Sequence, residues 1–107
     1  MESFPRGNRL SKSSEYKSVL QKGKISNQNG LKVVFLPGDG KRMGLVVGAG
    51  IGKSVERSRI KRVFREFFRR HKEVFRDGDY VIVAKIGLAS KRNEEIRELL
   101  GKALKKL

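Results

Sequence analysis

Residues 54–72 read SVERSRIKRVFREFFRRHK, and this stretch joins dense positive charge to large apolar side chains. Eight of its nineteen residues are Lys or Arg. At 100° per residue, the apolar side chains of this region fall within an arc of about 140°. The pattern predicts an amphipathic helix over about residues 54–75 whose apolar side packs on a core. The apolar set is Ile60, Val63, Phe64, Phe67, Phe68, Val74 and Phe75.

Beside that arc lies a basic stripe that spans about 100° of the same helix. Glu66 is four residues from both Arg62 and Arg70, and Glu73 is four residues from Arg69, so ion pairs are expected there. A solvated face normally mixes charges, whereas this stripe keeps an excess of cations, which favours binding to phosphates. The stripe consists of Lys61, Arg62, Arg65, Arg69, Lys72 and Arg76.

The start of this helix is basic as well. Lys53, Arg57 and Arg59 cluster where free backbone amides and the helix dipole favour an anion. Cations are locally unfavourable at that end, so their presence indicates an external negative group.

The composition of the whole chain agrees with a polyanionic partner. The 107 residues include 26 Lys and Arg against 11 Asp and Glu, which gives a net charge of +15. Such self-repulsion usually signals nucleic acid or, as a second option, an anionic membrane surface. The length fits one domain, residues 1–107, with a loose basic arm over residues 1–10.

Several classes of protein are disfavoured. There is no Cys, which excludes disulfides and thiolate metal sites and favours the cytoplasm. The start, MESFPRGNRL, lacks the apolar core of a secretory signal, and no apolar run is long enough to span a membrane.

The remaining segments predict an α+β fold. A short helix after Ser11, Ser13 and Ser14 as N-cap candidates would end at Gly23, with Tyr16 on its apolar face. Residues 31–36 and 42–48 read as a hairpin, and the apolar run 80–84 reads as a central strand covered on both faces. A C-terminal helix would start at Asn93. The order α-β-β-α-β-α predicts a two-layer α-β sandwich with a small mixed sheet.

Catalytic motifs are not supported. The sequence GIGKS at 50–54 ends like a phosphate-binding loop, but the Gly required five positions before Gly52 is Val47. His71, the single histidine, falls on the apolar arc and is interpreted as a packing residue. We therefore expect no catalytic residue on this chain.

Residues 52–66, GKSVERSRIKRVFRE, resemble the signature of the bacterial ribonuclease P protein component, an Arg-Asn-Arg motif followed by Ile/Leu-Lys-Arg and Arg-Glu. Residues 9–10 with 15–16, 44–45 and 79–84 are similar to its first helix, second strand and last strand. The resemblance covers residues 9–107.

This resemblance implies a function and a fold feature. The family partners a catalytic RNA that removes the 5′ leader of precursor tRNA, with Mg²⁺ held mainly by the RNA. It implies one protein for each ribonuclease P RNA, a cleft between the first helix and the sheet that grips the leader, and a left-handed βαβ crossover.

The resemblance also implies site residues. Tyr16 could stack on a leader base, or it could simply pack in the core. Leu20 and Val34 stand where the family often has aromatics, and Ser58 replaces the Asn of the motif. Ala49 and Gly50 stand where relatives usually carry lysines. The expected RNA-binding residues are Lys53, Arg57, Ser58, Arg59, Lys61, Arg62, Arg65 and Arg69. The expected leader-cleft residues are Lys12, Tyr16, Leu20 and Val34.

Two other functions fit the charge and fold class. A ribosomal or general RNA-binding protein would show the same bias, and a double-stranded DNA binder would need a recognition helix and dimer symmetry, of which the sequence gives no sign. An autonomous enzyme is disfavoured because no acid-base or metal-ligand cluster is present.

Overall fold

A computed structural model describes residues 8–107. The described residues form three helices and four strands. The elements are α1 (Ser13–Lys22), β1 (Lys24–Gln28), β2 (Leu31–Pro37), β3 (Lys41–Val46), α2 (Ser54–Arg70), β4 (Gly78–Ala84) and α3 (Asn93–Lys105). Short 3₁₀ turns lie before α2, before β4 and before α3.

The four strands form one mixed sheet in the order β1-β2-β4-β3. Strand β4 pairs antiparallel with β2 and parallel with β3. The predicted α+β sandwich and the central position of β4 are confirmed, but the predicted hairpin of residues 31–36 with 42–48 is wrong, because β4 lies between β2 and β3. The segment β3-α2-β4 is a βαβ unit, and its left-handed crossover stays a prediction.

Strand β1 was not predicted, so the observed order has one more strand than expected. Its sequence, KISNQ, is polar, and only Ser26 in it is buried. It becomes a strand through antiparallel pairing with β2, in which Ile25 faces Val34. Local sequence carries little signal for such an edge strand, since cross-strand contacts determine its conformation.

The two faces of the sheet are covered by different helices. On β2, Leu31, Val33 and Phe35 join the main core with α2 and α3. On the opposite face, Val34 joins a smaller cluster with Val19 of α1. The α1 helix therefore lies across the sheet from the basic helix.

Helix α2 ends earlier than predicted. It stops at Arg70, and the amide of His71 donates to the carbonyl of Phe67 before a 3₁₀ turn at Lys72–Val74. His71 is exposed and lies against the Phe67 ring at 4.7 Å, so it is a helix-ending residue and not a core one. Phe75 is buried as expected, whereas Val74 is 45% exposed, so its predicted core position is wrong.

The helix starts also differ from prediction. Lys12 and Arg92 occupy the N-cap positions of α1 and α3, in place of the predicted serines and Asn93. In α1 the Glu15 carboxylate accepts hydrogen bonds from the amides of Ser11 and Lys12. Glu15 thus satisfies the N-cap amide, as the glutamate of a capping box does, whereas the side chain of a Ser or Asn cap would accept from an amide two or three residues further on. The predicted C-cap at Gly23 is confirmed.

Residues 8–10 are docked on the sheet and do not form part of a loose arm. The amide of Leu10 donates to the carbonyl of Met43 at 3.1 Å, and the Asn8 side chain donates to the carbonyl of Lys41 at 2.7 Å. The rest of the predicted arm, residues 1–7, lies outside the described residues. Within residues 8–107 no helix is both long and apolar enough to cross a membrane.

Candidate nucleic-acid interface

A groove runs between the outer edge of β3 and the flank of α2, and we call it the β3-side groove. Its volume is about 180 Å³. Aromatic, apolar and basic side chains from separate segments meet in it. Tyr16 of α1 and two cations of α2 are among them. The lining residues are Arg9, Leu10, Tyr16, Met43, Leu45, Lys61 and Arg65.

Tyr16 lies on the sheet at a position that requires a glycine beneath it. A Cβ atom on Gly44 would lie 2.6 Å from the Tyr16 ring. The Tyr16 hydroxyl donates to the carbonyl of Leu10 at 3.3 Å, and the side chain stays partly exposed. The ring therefore packs on the protein and also presents a surface to the groove, so packing and stacking are compatible.

An ion-pair network fixes α1 to the sheet beside this groove. Arg42 of β3 donates to Glu15 at 2.6 Å and to both oxygens of Asp79 at 2.8 and 2.9 Å. The pKa of Glu15 is lowered to about 2 by the Lys12 amide and by Arg42. The pKa of Arg42 is raised by Asp79 and Glu15. Sequence reasoning missed this network, since its members are far apart along the chain.

The N-terminus of α2 already has an internal anion. The Glu56 carboxylate accepts the amide of Lys53 at 2.8 Å, and the Arg57 Nε donates to the carbonyl of Gly52 at 3.2 Å. Glu56 therefore supplies negative charge at this end of the helix, where the sequence analysis expected an external anion. Lys53 and Ser58 are exposed beside it.

Arg59 is engaged inside the protein. Its two terminal nitrogens donate to the carbonyls of Ala89 and Lys91 and to Asn93 Oδ1, at 2.8, 3.3 and 2.6 Å. These bonds tie α2 to the segment before α3. The contacts give Arg59 a role in the fold, whatever it contributes to RNA.

Four predicted cations are the most available for an external anion. Among residues 8–107, the side chains of Lys53, Lys61, Arg62 and Arg65 form neither an ion pair nor a hydrogen bond. Glu66 pairs with Arg69 at 3.0 Å and with Arg70 at 3.4 Å. The predicted Arg69–Glu73 ion pair is wrong. Helix α2 ends before Glu73, and Arg69 pairs with Glu66 instead.

Of the four predicted leader-cleft residues, Lys12, Tyr16 and Leu20 lie at or on α1 and are at least partly exposed, and Val34 is not exposed. Lys12 is exposed, and Leu20 is 38% exposed on α1. Val34 is fully buried beneath α1, so it supports the helix and presents no surface to a ligand. The prediction that Val34 lines an open cleft is corrected accordingly.

The described residues do not fit a protein-held metal. Within residues 8–107 no group of three or more His, Asp or Glu side chains could hold a metal ion.

Comparison with known proteins decides the family. A family model described as ribonuclease P matches residues 4–107. This chain belongs to the ribonuclease P protein family. It is thus a protein component of the endoribonuclease that matures the 5′ end of tRNA.

Individual members of the ribonuclease P family agree with this assignment. The chain is 32% identical to the ribonuclease P protein component of Desulforapulum autotrophicum over 98% of this chain and 92% of that one. It is 38% identical to that of Pseudomonas savastanoi, over 97% and 81%.

Solved ribonuclease P proteins share the fold. The Thermotoga maritima protein aligns with a TM-score of 0.82 at 30% identity, over 92% of this chain and 96% of that one. The Staphylococcus aureus protein aligns with a TM-score of 0.88 at 25% identity, over 92% and 94%. The comparisons give no support to a ribosomal or general RNA-binding protein.

Proposed function

We propose that this chain binds the RNA subunit of ribonuclease P through the Lys61–Arg65 flank of α2. Lys61 and Arg65 lack internal ion pairs among the described residues, and both line the β3-side groove. Phosphate binding would relieve the repulsion between these cations, which are four residues apart on one helix. This uncompensated flank is the observation that carries the proposal.

The same proposal assigns the 5′ leader of precursor tRNA to the α1 side of the groove. The partly exposed Tyr16 ring offers a stacking surface, and a stacked base contributes about 1–3 kcal/mol. Lys12 at the N-cap of α1 and Leu20 within α1 would contact the backbone and the bases. The adjacent position of Tyr16 and Arg65 would let one leader strand run close to the RNA subunit.

Catalysis belongs to the RNA in this proposal. The described side chains offer no metal-ligand cluster, so the Mg²⁺ ions would be held by the RNA subunit. The protein's part is to bind both RNAs and reduce the repulsion between them. We expect one protein for each RNA and action in the cytoplasm.

Cleavage of a precursor tRNA tests this proposal. Purified chain would be added to a bacterial ribonuclease P RNA at low Mg²⁺, and release of the 5′ leader would be timed. We expect faster cleavage than with RNA alone, and loss of most of the gain in the Lys61→Ala/Arg65→Ala variant. The Lys105→Ala/Lys106→Ala variant removes the same charge from exposed positions near the end of α3 and should keep the gain.

Two results would contradict the proposal. No acceleration by the wild-type chain, with equally tight binding to unrelated RNAs, would favour general RNA binding. An equal loss in the two double variants would show that net charge matters and that this flank does not.

A further inference from the structure

A second groove lies on the opposite flank of α2, between α2 and α3, and we call it the α3-side groove. Its volume is about 200 Å³. It is separate from the β3-side groove, and the two share no lining residue. The lining residues are Arg62, Val63, Glu66, Phe67, Arg70, His71, Asn93 and Arg97.

The charge of the α3-side groove is unbalanced. Three arginines face one glutamate, and Glu66 is already shared between Arg69 and Arg70. Among residues 8–107, the side chains of Arg62 and Arg97 form no hydrogen bond or ion pair. Two guanidinium groups from different helices therefore stand at one groove without a counter-ion, an arrangement that suits a bidentate oxyanion.

The α3-side groove also contains apolar and aromatic side chains. Val63 and Phe67 form an apolar part of its lining, and the Phe67 ring is only partly buried. The His71 ring lies beside Phe67 at 4.7 Å, so two flat rings adjoin the arginines. Arginines next to aromatic rings provide a site for a phosphate with its sugar or base.

Helix geometry separates this site from the first. On an ideal helix Arg65 and Arg70 point about 140° apart, with Arg62 and Glu66 between them. A single phosphate cannot occupy both grooves, since the body of α2 lies between them. Arg62 borders the α3-side groove and also belongs to the basic stripe, so a basic surface continues around the helix.

We propose that the α3-side groove binds a nucleotide of a second RNA segment, with its phosphate on Arg62 and Arg97 and its sugar or base against Phe67. This inference rests on the proposed function, since it assigns a further contact to the same RNA partner. Arg97 of α3 is the residue that this proposal adds to the RNA-binding set. An acidic peptide would use the arginines but would not require the aromatic floor.

Salt-dependent binding tests the charge contact. Affinity for a ribonuclease P RNA and for an unrelated hairpin RNA would be measured from 50 to 300 mM KCl with wild-type chain, Arg97→Gln and Lys105→Gln. We expect Arg97→Gln to weaken binding about 3- to 10-fold and to lower the salt slope by about one, because one phosphate contact is lost. Lys105→Gln removes an equal charge from an exposed position on the same helix and should have a smaller effect.

Tethered cleavage locates the contact. The chain has no Cys, so an iron–EDTA group can be attached to a single Glu94→Cys, Ser58→Cys or Lys24→Cys variant. Glu94 adjoins Asn93 in the α3-side groove, Ser58 lies on the other flank, and Lys24 lies on β1. We expect the Glu94→Cys and Ser58→Cys tethers to cut different RNA segments, and the Lys24→Cys tether to give neither pattern.

The outcomes separate the two proposals. Equal salt slopes for Arg97→Gln and Lys105→Gln, with no cleavage from the Glu94→Cys tether, would overturn the α3-side site even if the holoenzyme is active. Equal wild-type affinity for both RNAs, together with no acceleration of precursor cleavage, would overturn the proposed function, while the Arg97→Gln comparison would still decide whether the groove binds RNA.

Discussion

At the scale of single residues, the contact between Tyr16 and Gly44 shapes the β3-side groove. The ring occupies the space that any side chain at position 44 would fill. A glycine is therefore required at position 44 because it has no side chain. Backbone conformation is not the reason, since the φ of Gly44 is not positive. A Tyr ring held over a strand in this way keeps one part of its surface available to the groove.

Gly44→Ala should destabilise the protein by about 1–3 kcal/mol, because overpacking would displace the Tyr16 ring. Urea unfolding would measure the change. In a Tyr16→Ala background the same substitution should cost much less, since the clash is gone, and the difference gives the coupling. Equal costs in the two backgrounds would contradict the close contact.

Residue identity alone does not reveal which arginines can bind RNA. Arg59 and Arg65 lie on the same helix, yet Arg59 donates to three oxygens of the protein and Arg65 lines a groove. The sequence assigned both to RNA, because a helical wheel shows direction but not what the neighbouring elements supply. Asn93 shows the same limit, since it accepts a bond from Arg59 in place of capping α3.

At the scale of elements, α1 is held by charge as well as by apolar contacts. The Glu15 carboxylate accepts from the amides of Ser11 and Lys12, just before α1, and also from Arg42, so one carboxylate serves as helix cap and as sheet anchor. The Arg42 guanidinium also donates a hydrogen bond to Asp79 on β4. The position of Tyr16, next to Glu15, depends on this anchor.

The Glu15 anchor should weaken in acid. Its pKa in the folded chain is about 2, below the ordinary value of 4.5, so its contribution is complete above about pH 4.5 and is lost as the pH falls toward 2. The urea midpoint of wild type should exceed that of Glu15→Gln at pH 6, and the gap should shrink progressively below pH 4.5. A gap independent of pH would contradict the role of the charge.

The sequence predicted elements best where one pattern was strong. The apolar arc of α2 and the continuous apolar run of β4 identified a packed helix and a central strand correctly. Prediction from the sequence failed where an element depends on contacts with residues far along the chain. Strand β1 depends on its pairing with β2, and the placement of β3 depends on its pairing with β4. Likewise, nothing local indicated that Tyr16 and Arg65 meet in one groove, because the fold brings them together from opposite faces of the sheet.

At the scale of the whole molecule, the net charge of +15 favours a polyanionic partner and also affects the free energy of unfolding. Cations are present on both flanks of α2, and few carboxylates neutralise them. The folded chain concentrates this charge more than the unfolded chain does, so repulsion lowers the free energy of unfolding. An RNA partner would remove that penalty together with its own counter-ions.

The free chain should therefore become more stable as salt rises. Between 10 and 150 mM KCl the Debye length falls from about 30 to about 8 Å, so repulsion between separated cations is screened and Tm should increase. The Lys17→Glu/Lys24→Glu variant, changed at two exposed positions, lowers the net charge by four and should start with a higher Tm and gain less from salt. Thermal unfolding followed by circular dichroism would measure both. A Tm that stays constant or falls with KCl would show that local ion pairs such as Arg42–Asp79 outweigh the repulsion, because those pairs weaken in salt.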